Sequence, residues 1–213
     1  ITRDLLSDIS TSTDISLEVG DFFLKKWKKI IDRMPDPLLI IGNPPWVTNS
    51  DLSSIQSDNL PQKSNFKNLV GIDAITGRSN FDISEWMIIR LIQESLGKDM
   101  HLSMLCKTTV ARNVLEYFWE INFPISTSEM YIIDTDKFFS ASVDACLLYI
   151  RIGEKNKYSC RVYSDLFNPK VINNFGYRDG LIVADVTKYD QTKHLGGETV
   201  LTWRSGIKHD SSK

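Results

Sequence analysis

The chain has 213 residues, 42% of them hydrophobic, which is enough to bury a sizeable core. Its formal net charge of −2 excludes a uniformly basic nucleic-acid coat but not an enzyme with one local positive cleft. The number of cysteines is odd and their spacing does not suit a metal, which predicts reduced thiols and no metal site. The sequence has no signal-peptide pattern and no long apolar run, which predicts a cytoplasmic protein without a membrane span.

The first elements are predicted from two different periodicities. Apolar and polar residues alternate over 15–20, which predicts a short strand with Asp21 at its carboxyl end. The apolar residues of 23–34 follow helical spacing, and Pro35 stops that helix. We therefore expect Asp21 to lie at the edge of a sheet, just before a helix.

A continuous apolar run follows and leads into the most specific motif of the chain. LLIIG at 38–42 predicts a central strand of a parallel sheet, buried on both faces. The sequence NPPW comes directly after it. Residues 47–80 are rich in Ser, Asn, Asp and Gly and have little periodicity, so we interpret them as a mobile functional loop.

Helices and strands then alternate. Asp82 and Glu85 form a capping box at the start of a helix that Gly97 ends. The later predicted elements are a strand at 101–106, a helix at 110–119 that ends before Pro124, and strands at 129–134 and 145–152 joined like a hairpin by 135–144. This alternation predicts an open α/β sheet with its active residues at the carboxyl ends of the strands. After Gly153 the pattern becomes mixed, and we expect a new region to begin.

The residues Asn43, Pro44, Pro45 and Trp46 resemble motif IV of amino-methyltransferases. An exocyclic base amine is a poor nucleophile because its lone pair is delocalised into the ring. The Asn43 amide oxygen and the Pro44 carbonyl could accept the two amine hydrogens, and the prolines would stiffen the turn. Trp46 would offer a flat face to a flipped-out base. The alternative interpretation is a tight turn that merely ends a strand.

Flanking segments extend the resemblance to the cofactor site. The segment GDFFLKKW at 20–27 resembles motif III of the same family, in which an acidic residue at the position of Asp21 accepts a hydrogen bond from the adenine amine of S-adenosylmethionine. By the same resemblance Phe22 lies in the cofactor site, and Trp86, in a helix that resembles motif V, lines its adenine pocket. A helix N-cap is the other role for Asp21, and it could coexist with the cofactor contact, whereas for Trp86 core packing is the favoured interpretation.

Two further segments resemble later motifs. FFSASVDACLLYI at 138–150 resembles motif VIII, which implies that Phe139, or less favourably Phe138, stacks on the other face of the target base. Burial in the core is the alternative. The segment around Lys107 resembles a strand-and-loop motif in which related enzymes often have a proline at this position, so the resemblance gives Lys107 no role.

The motif order over residues 15–152 is that of the gamma arrangement of N6-adenine DNA methyltransferases of restriction-modification systems. The resemblance implies a Rossmann-like class I fold, double-stranded DNA and S-adenosylmethionine as ligands, and a fused or separate restriction endonuclease. It also implies a partial catalytic domain at 1–152 and the start of a target-recognition region at 153–213, with 203–210 as an early element. The glycine-containing motif I should precede Asp21, but the twenty residues there lack it. The chain also begins without Met, so we expect an inactive piece of a longer enzyme.

Several alternatives share parts of this pattern. N4-cytosine methyltransferases use the same amine chemistry, but their motif more often begins with Ser, so Asn43 favours adenine. Protein glutamine and ribosomal RNA methyltransferases share the NPP core. Direct methyl transfer needs no covalent nucleophile, and Cys106 is therefore not expected to be catalytic. A DNA-binding specificity module with a decayed methyltransferase fold is the alternative outside enzymes.

Overall fold

A computed structural model describes residues 16–47, 82–139 and 143–197. The five α-helices in these ranges are α1 (Trp27–Ile31), α2 (Ile83–Glu94), α3 (Thr108–Glu120), α4 (Thr135–Phe139) and α5 (Val186–Thr192), followed by a 3-10 turn at Lys193–Leu195. The strands are β1 (Leu38–Gly42), β2 (Met100–Lys107), β3 (Ile125–Ile133), β4 (Ala145–Ile152), β5 (Ser159–Tyr163), β6 (Val171–Arg178) and β7 (Leu181–Val183).

The described strands form one mixed sheet of seven strands in the order β1-β2-β4-β3-β5-β6-β7. β1 is parallel to β2, and β3 is parallel to β5. β4 lies antiparallel between β2 and β3, so the predicted hairpin-like connection of the last two strands is confirmed. β5, β6 and β7 continue as an antiparallel series. The predicted α/β class is therefore confirmed.

One face of the sheet holds the core, and α2 and α3 pack on it. Side chains of β2 alternate between buried and half-buried positions, as a strand with one covered face requires. The six apolar residues that predicted the second long helix are all buried: Val110, Ala111, Val114, Leu115, Phe118 and Trp119. Asp82 caps α2 through a hydrogen bond from the Ser84 amide at 3.0 Å, and Gly97 follows the helix with φ +91°. Both predicted helices are confirmed, with their boundaries moved by a few residues.

The prediction of a strand at 15–20 is wrong for the residues that the structure describes. Residues 16–20 adopt no regular structure, and Val19 is 96% exposed. Alternation of apolar and polar residues allows a strand, but only hydrogen bonds to a neighbouring strand form one. No strand pairs with 16–20 in the described ranges. Asp21 is therefore not at the carboxyl end of a strand.

β1 forms as predicted, but its predicted burial on both faces is wrong. Within the described part of the chain it is an edge strand, paired only with β2. Leu38 and Ile40 face the core, whereas Leu39 is 60% exposed and Ile41 is 73% exposed. The apolar run indicates that both faces are suited to burial, yet α2 and α3 cover only one of them.

The first helix is much shorter than predicted. α1 spans five residues, because 22–25 form turns before it and 32–34 form turns after it. The Asp21 carboxylate accepts a hydrogen bond from the Phe23 amide at 2.8 Å, which stabilises a local turn. The first turn of α1 begins at Trp27, so Asp21 is not its N-cap.

The residues after Gly153 continue the same sheet. Cys160, Val162 and Phe175 belong to the hydrophobic core that α2 and α3 cover. A target-recognition region beginning near 153 stays a prediction, although β5 to β7 share a sheet with the preceding residues. Apart from Val47, the predicted loop at 47–80 lies outside the described residues, and so does the predicted recognition element at 203–210.

Candidate active site

The turn Asn43–Val47 leaves the carboxyl end of β1 and is fastened at its far side. Pro44 is buried, while Asn43 and Pro45 are exposed. The Trp46 indole donates a hydrogen bond from Nε1 to the carbonyl oxygen of Leu105 at 3.2 Å. The amide of Ile83 donates to the carbonyl oxygen of Val47 at 3.0 Å. The turn is therefore held between β2 and α2, with the Asn43 side chain open to solvent.

Phe139 faces this turn from the other side of the site. Its ring centroid lies 6.3 Å from that of Trp46, and the two ring planes cross at 68°. Phe138, the alternative, instead contacts Phe167 with a centroid distance of 6.0 Å. Phe139 remains 49% exposed and is thus not a core residue. The structure brings together the two aromatic residues that the sequence predicted to contact the target base, and the contact itself stays a prediction.

The edge-to-face geometry of Trp46 and Phe139 matters for what the pair can hold. A base between two parallel rings needs them about 7 Å apart, which is twice the van der Waals separation of roughly 3.5 Å. Two rings crossing at 68° with centroids 6.3 Å apart leave no such slot. A base can stack on Trp46 only on its free face, or between the rings after the Phe139 side chain moves outward as well as turning, because 6.3 Å is less than the required separation. Phe139 is half exposed, so part of its ring already borders solvent.

A second aromatic cluster surrounds the residues that the sequence assigned to the cofactor. The Phe22 and Trp86 rings lie 6.1 Å apart, and Phe22 is 4.7 Å from Trp27. Phe23 is closer to Trp86, at 5.0 Å, and the Arg90 guanidinium lies 5.1 Å from the Trp86 ring. Sequence reasoning misses Phe23, because two adjacent phenylalanines are indistinguishable before the backbone turn between them is known.

This cluster has the chemical character that an adenine ring requires. Phe22 and Trp86 are half-buried and offer aromatic surface, and Asp21, next in the chain, offers a carboxylate. One of its oxygens accepts the Phe23 amide. An aromatic surface beside a hydrogen-bond acceptor suits a purine with an exocyclic amine.

The two sites share the first turn of α2. Ile83 binds the turn that contains Trp46, and Trp86 lies one helical turn further along the same helix. Asp82, just before the helix, also forms an ion pair with Lys107 at the end of β2, with a distance of 2.8 Å between Nζ and Oδ2. The candidate base site and the candidate cofactor site are thus attached to one helix terminus.

The three cysteines are buried. Cys106 and Cys146 are directly opposite each other on β2 and β4. The hydrogen bond with Cys146, and then burial, raise the pKa of the Cys106 thiol far above its ordinary value. Burial raises the pKa of Cys160 to about 12. Cys106 and Cys160 are therefore protonated near neutral pH, and a protonated thiol is a weak nucleophile.

Residues 16–47, 82–139 and 143–197 show no features of two other kinds of site. Within these ranges there is no cluster of three or more His, Cys, Asp or Glu side chains able to hold a metal ion. No helix in the same ranges is long and apolar enough to cross a membrane.

Comparison with known proteins places a methyltransferase among the relatives of the chain. No family model matches the chain. The chain is 43% identical over 196 residues to the Type II methyltransferase M.NspV of Nostoc sp., a match that covers 91% of this chain and 41% of that protein. It thus spans less than half the length of this relative. Among solved structures it is similar to the Type IIL restriction-modification enzyme MmeI in complex with DNA, with a TM-score of 0.41, 14% identity, and coverage of 70% of this chain and 20% of MmeI.

Proposed function

We propose that the whole protein is an S-adenosylmethionine-dependent DNA methyltransferase of a restriction-modification system, and that it methylates the N6 amine of adenine. The observation that carries this proposal is the opening formed by Asn43, Trp46 and Phe139. An exposed amide side chain at the end of a strand is followed, three residues later, by a partly exposed tryptophan ring in edge-to-face contact with a half-exposed phenylalanine ring. The relative named as a Type II methyltransferase supports the same reaction class.

The turn provides the groups that a base amine needs. The Asn43 amide oxygen accepts one amine hydrogen, and the Pro44 carbonyl oxygen accepts the other. Both contacts draw the nitrogen toward a tetrahedral geometry and localise its lone pair. Pro44 is buried and Trp46 is hydrogen-bonded to β2, so the backbone that carries both acceptors is held in place before the base arrives.

The aromatic pair provides the surface for a base removed from the duplex. Unstacking a base costs a few kcal/mol, which stacking on a protein ring partly offsets. We propose that the Phe139 side chain moves outward from its edge-on contact and that the base enters against Trp46. The same pair of rings would then exclude water from the amine.

The aromatic cluster provides the cofactor contacts of this chain. When bound, S-adenosylmethionine supplies an electrophilic methyl group. Asp21 would accept a hydrogen bond from the adenine amine of the cofactor, and the rings of Phe22 and Trp86 would line the pocket of that adenine. Since α2 joins this cluster to the Asn43 turn, the two ligands would be oriented by one rigid element. We propose that the whole protein provides the groups for the methionine part.

The remaining assignments follow from the proposed reaction. Double-stranded DNA is the partner, the fold is Rossmann-like, residues 1–152 are part of the catalytic domain, and a target-recognition region starts after 152. A cytoplasmic location and a restriction endonuclease, fused or separate, complete the proposal. N4-cytosine methylation is chemically the nearest alternative, because the same two acceptors would serve a cytosine amine.

The identity of the methylated nucleoside tests the proposal. The whole protein is incubated with duplex DNA and S-adenosylmethionine carrying a labelled methyl group, and the DNA is digested to nucleosides and separated. We expect the label in N6-methyldeoxyadenosine. Label in N4-methyldeoxycytidine would replace adenine by cytosine as the substrate. DNA binding without any labelled product would favour the decayed specificity module.

A further inference from the structure

The carboxyl end of β2 contacts both ends of the long segment that follows Trp46. On the outgoing side, the carbonyl oxygen of Leu105 accepts the Trp46 indole N–H. On the returning side, the Lys107 ammonium pairs with the Asp82 carboxylate at 2.8 Å. The two sides are also joined to each other by the hydrogen bond from the Ile83 amide to the Val47 carbonyl. Three contacts therefore join residues 46–47, residues 82–83 and the end of β2 directly beside the Asn43 turn.

Asp82 is the central residue of this arrangement. It is 7% exposed, and each of its two carboxylate oxygens accepts a hydrogen bond from a different residue. Oδ1 accepts a hydrogen bond from the Ser84 amide at 3.0 Å and so caps α2, while Oδ2 accepts one from the Lys107 ammonium. A nearly buried carboxylate that loses its cation is strongly destabilised and must move or recruit water. Any such movement would displace the neighbouring Ile83, which holds Val47.

We propose that Lys107 is a positioning residue for methyl transfer, acting through Asp82 and Ile83 on the turn Asn43–Val47. The ammonium holds Asp82 against the end of β2, and Ile83 then holds Val47 at the distance that keeps Trp46 on Leu105. This inference rests on the proposed function, since it assigns Lys107 to the same reaction.

The chain offers a matched control for the ion pair. Lys98 precedes β2 and pairs with Asp36 at 3.3 Å, and it also donates to the Met34 carbonyl at 2.7 Å. Its side chain is 15% exposed, compared with 26% for Lys107. Lys107 links β2 to the start of α2, whereas Lys98 links it to the residues before β1, at the opposite end of β2 from the Asn43 turn. Because the Asp36 side chain is 48% exposed and the Asp82 side chain only 8%, urea unfolding of both variants is needed to measure how much folding stability each one loses.

The kinetic test compares Lys107→Met, Lys107→Arg, Asp82→Asn and Lys98→Met in the whole protein. We expect Lys107→Met and Asp82→Asn to lower kcat by about tenfold or more, because misplacement of the amine acceptors acts on the chemical step. The double variant that carries both Lys107→Met and Asp82→Asn should lose little more kcat than either single variant. Lys107→Arg should recover most of the rate, and Lys98→Met should stay within about twofold of wild type.

The competing roles of Lys107 give different results. If Lys107 bound a DNA phosphate, Lys107→Met would weaken DNA binding and reduce its salt dependence by about one unit of slope, while Asp82→Asn would not. If the ion pair only stabilised the fold, Lys107→Met would lower the free energy of unfolding but leave kcat of the folded protein within about twofold of wild type. Either result overturns the positioning role.

A readout without DNA separates this inference from the proposed function. Residue-resolved amide hydrogen exchange reports the Ile83 N–H, which donates to Val47. We expect its protection to fall about tenfold or more in Lys107→Met and Asp82→Asn, and to remain unchanged in Lys98→Met. Unchanged protection in all variants would overturn the inference even if adenine is methylated. If protection is lost in these variants but the whole protein methylates no DNA, the coupling of Lys107 and Asp82 to the Ile83–Val47 hydrogen bond is supported and the proposed function is overturned.

Discussion

Trp46 combines two kinds of contact in one side chain. Its indole N–H is committed to the Leu105 carbonyl, and its ring faces Phe139. The first contact fixes the ring relative to β2, and the second leaves part of the ring open. A residue that is both fixed and partly open is suited to receive a flat ligand with little loss of side-chain entropy.

Substitutions of Trp46 can separate the ring from the hydrogen bond. Trp46→Ala removes both, and we expect it to lose about 1 to 3 kcal/mol of base-dependent binding energy. Trp46→Phe keeps an aromatic face and loses mainly the hydrogen bond, worth on the order of 1 kcal/mol. The measurement is the methylation rate, read beside the fluorescence of 2-aminopurine at the target position. Equal rates for wild type and Trp46→Ala would contradict the stacking role.

Phe138 and Phe139 form a second matched pair. They are adjacent and about equally exposed, but only Phe139 faces Trp46. We expect Phe139→Ala to lower kcat/KM for methylation by roughly tenfold, because about 1 to 2 kcal/mol of stacking is lost. Phe138→Ala should change it by less than about twofold. A larger effect at Phe138 would reassign the base contact to the surface shared with Phe167.

At the scale of the elements, agreement with the sequence depends on where the partners of each segment lie. α3 is predicted well because its six apolar residues pack on strands of the same local unit. Residues 16–20 and the outer face of β1 are predicted poorly, because alternation and apolarity indicate suitability for burial without naming the partner. Leu39 and Ile41 have the side chains of a doubly buried strand on a face that no described element covers.

The candidate site shows the same division. Asn43, Pro44 and Trp46 are recognisable because a short contiguous motif carries them. The ion pair between Lys107 and Asp82 cannot be recognised in the sequence, since the two positions are 25 residues apart and their proximity depends on how β2 meets α2. A lysine in place of a frequent proline is the signal that the sequence offers, and it marks a position without assigning a role.

Gly176 tests whether the strands after Gly153 are packed as part of the sheet. A Cβ added there would collide with the Tyr158 carbonyl oxygen and lie 2.6 Å from Cγ1 of Val186 in α5. We expect Gly176→Ala to lower the free energy of unfolding by more than about 2 kcal/mol, because backbone atoms cannot move aside easily.

Gly180 is the control for this substitution. It has φ +83° and open space where a methyl group would lie, so Gly180→Ala should cost only about 1 kcal/mol of backbone strain. Urea unfolding of both variants measures the difference. Equal losses would mean that β6 is not packed against Tyr158 and α5 as described.

For the whole molecule, the continuous core predicts a particular response to alkaline pH. Burial raises the pKa of Cys160 from 9.0 to about 12 in the folded state. Above pH 9 the unfolded chain therefore releases a proton that the folded protein keeps. The stability contribution of the buried thiol is complete below pH 9 and is lost as the pH rises toward 12.

A comparison of wild type with Cys160→Ala isolates this contribution from those of the other groups whose pKa values are raised, namely Cys106, Tyr131, Tyr149, Tyr177 and Tyr189. We expect the stability difference between the two proteins to be constant between about pH 7 and about pH 8.5. Above pH 9 it should change by about 1.4 kcal/mol per pH unit in favour of the alanine variant. A constant difference up to about pH 10.5 would show that Cys160 is accessible to solvent in the folded protein.

The central claim is that the turn beginning at Asn43 is where methyl transfer takes place. Its most direct test is Asn43→Ala in the whole protein, with single-turnover methylation and DNA affinity measured on the same preparation. Removing the amide takes away an acceptor for the reacting amine and leaves the phosphate contacts unchanged. We predict a loss of methyl transfer by about a hundredfold or more, with DNA affinity within about threefold of wild type. Near wild-type turnover in Asn43→Ala would contradict this claim.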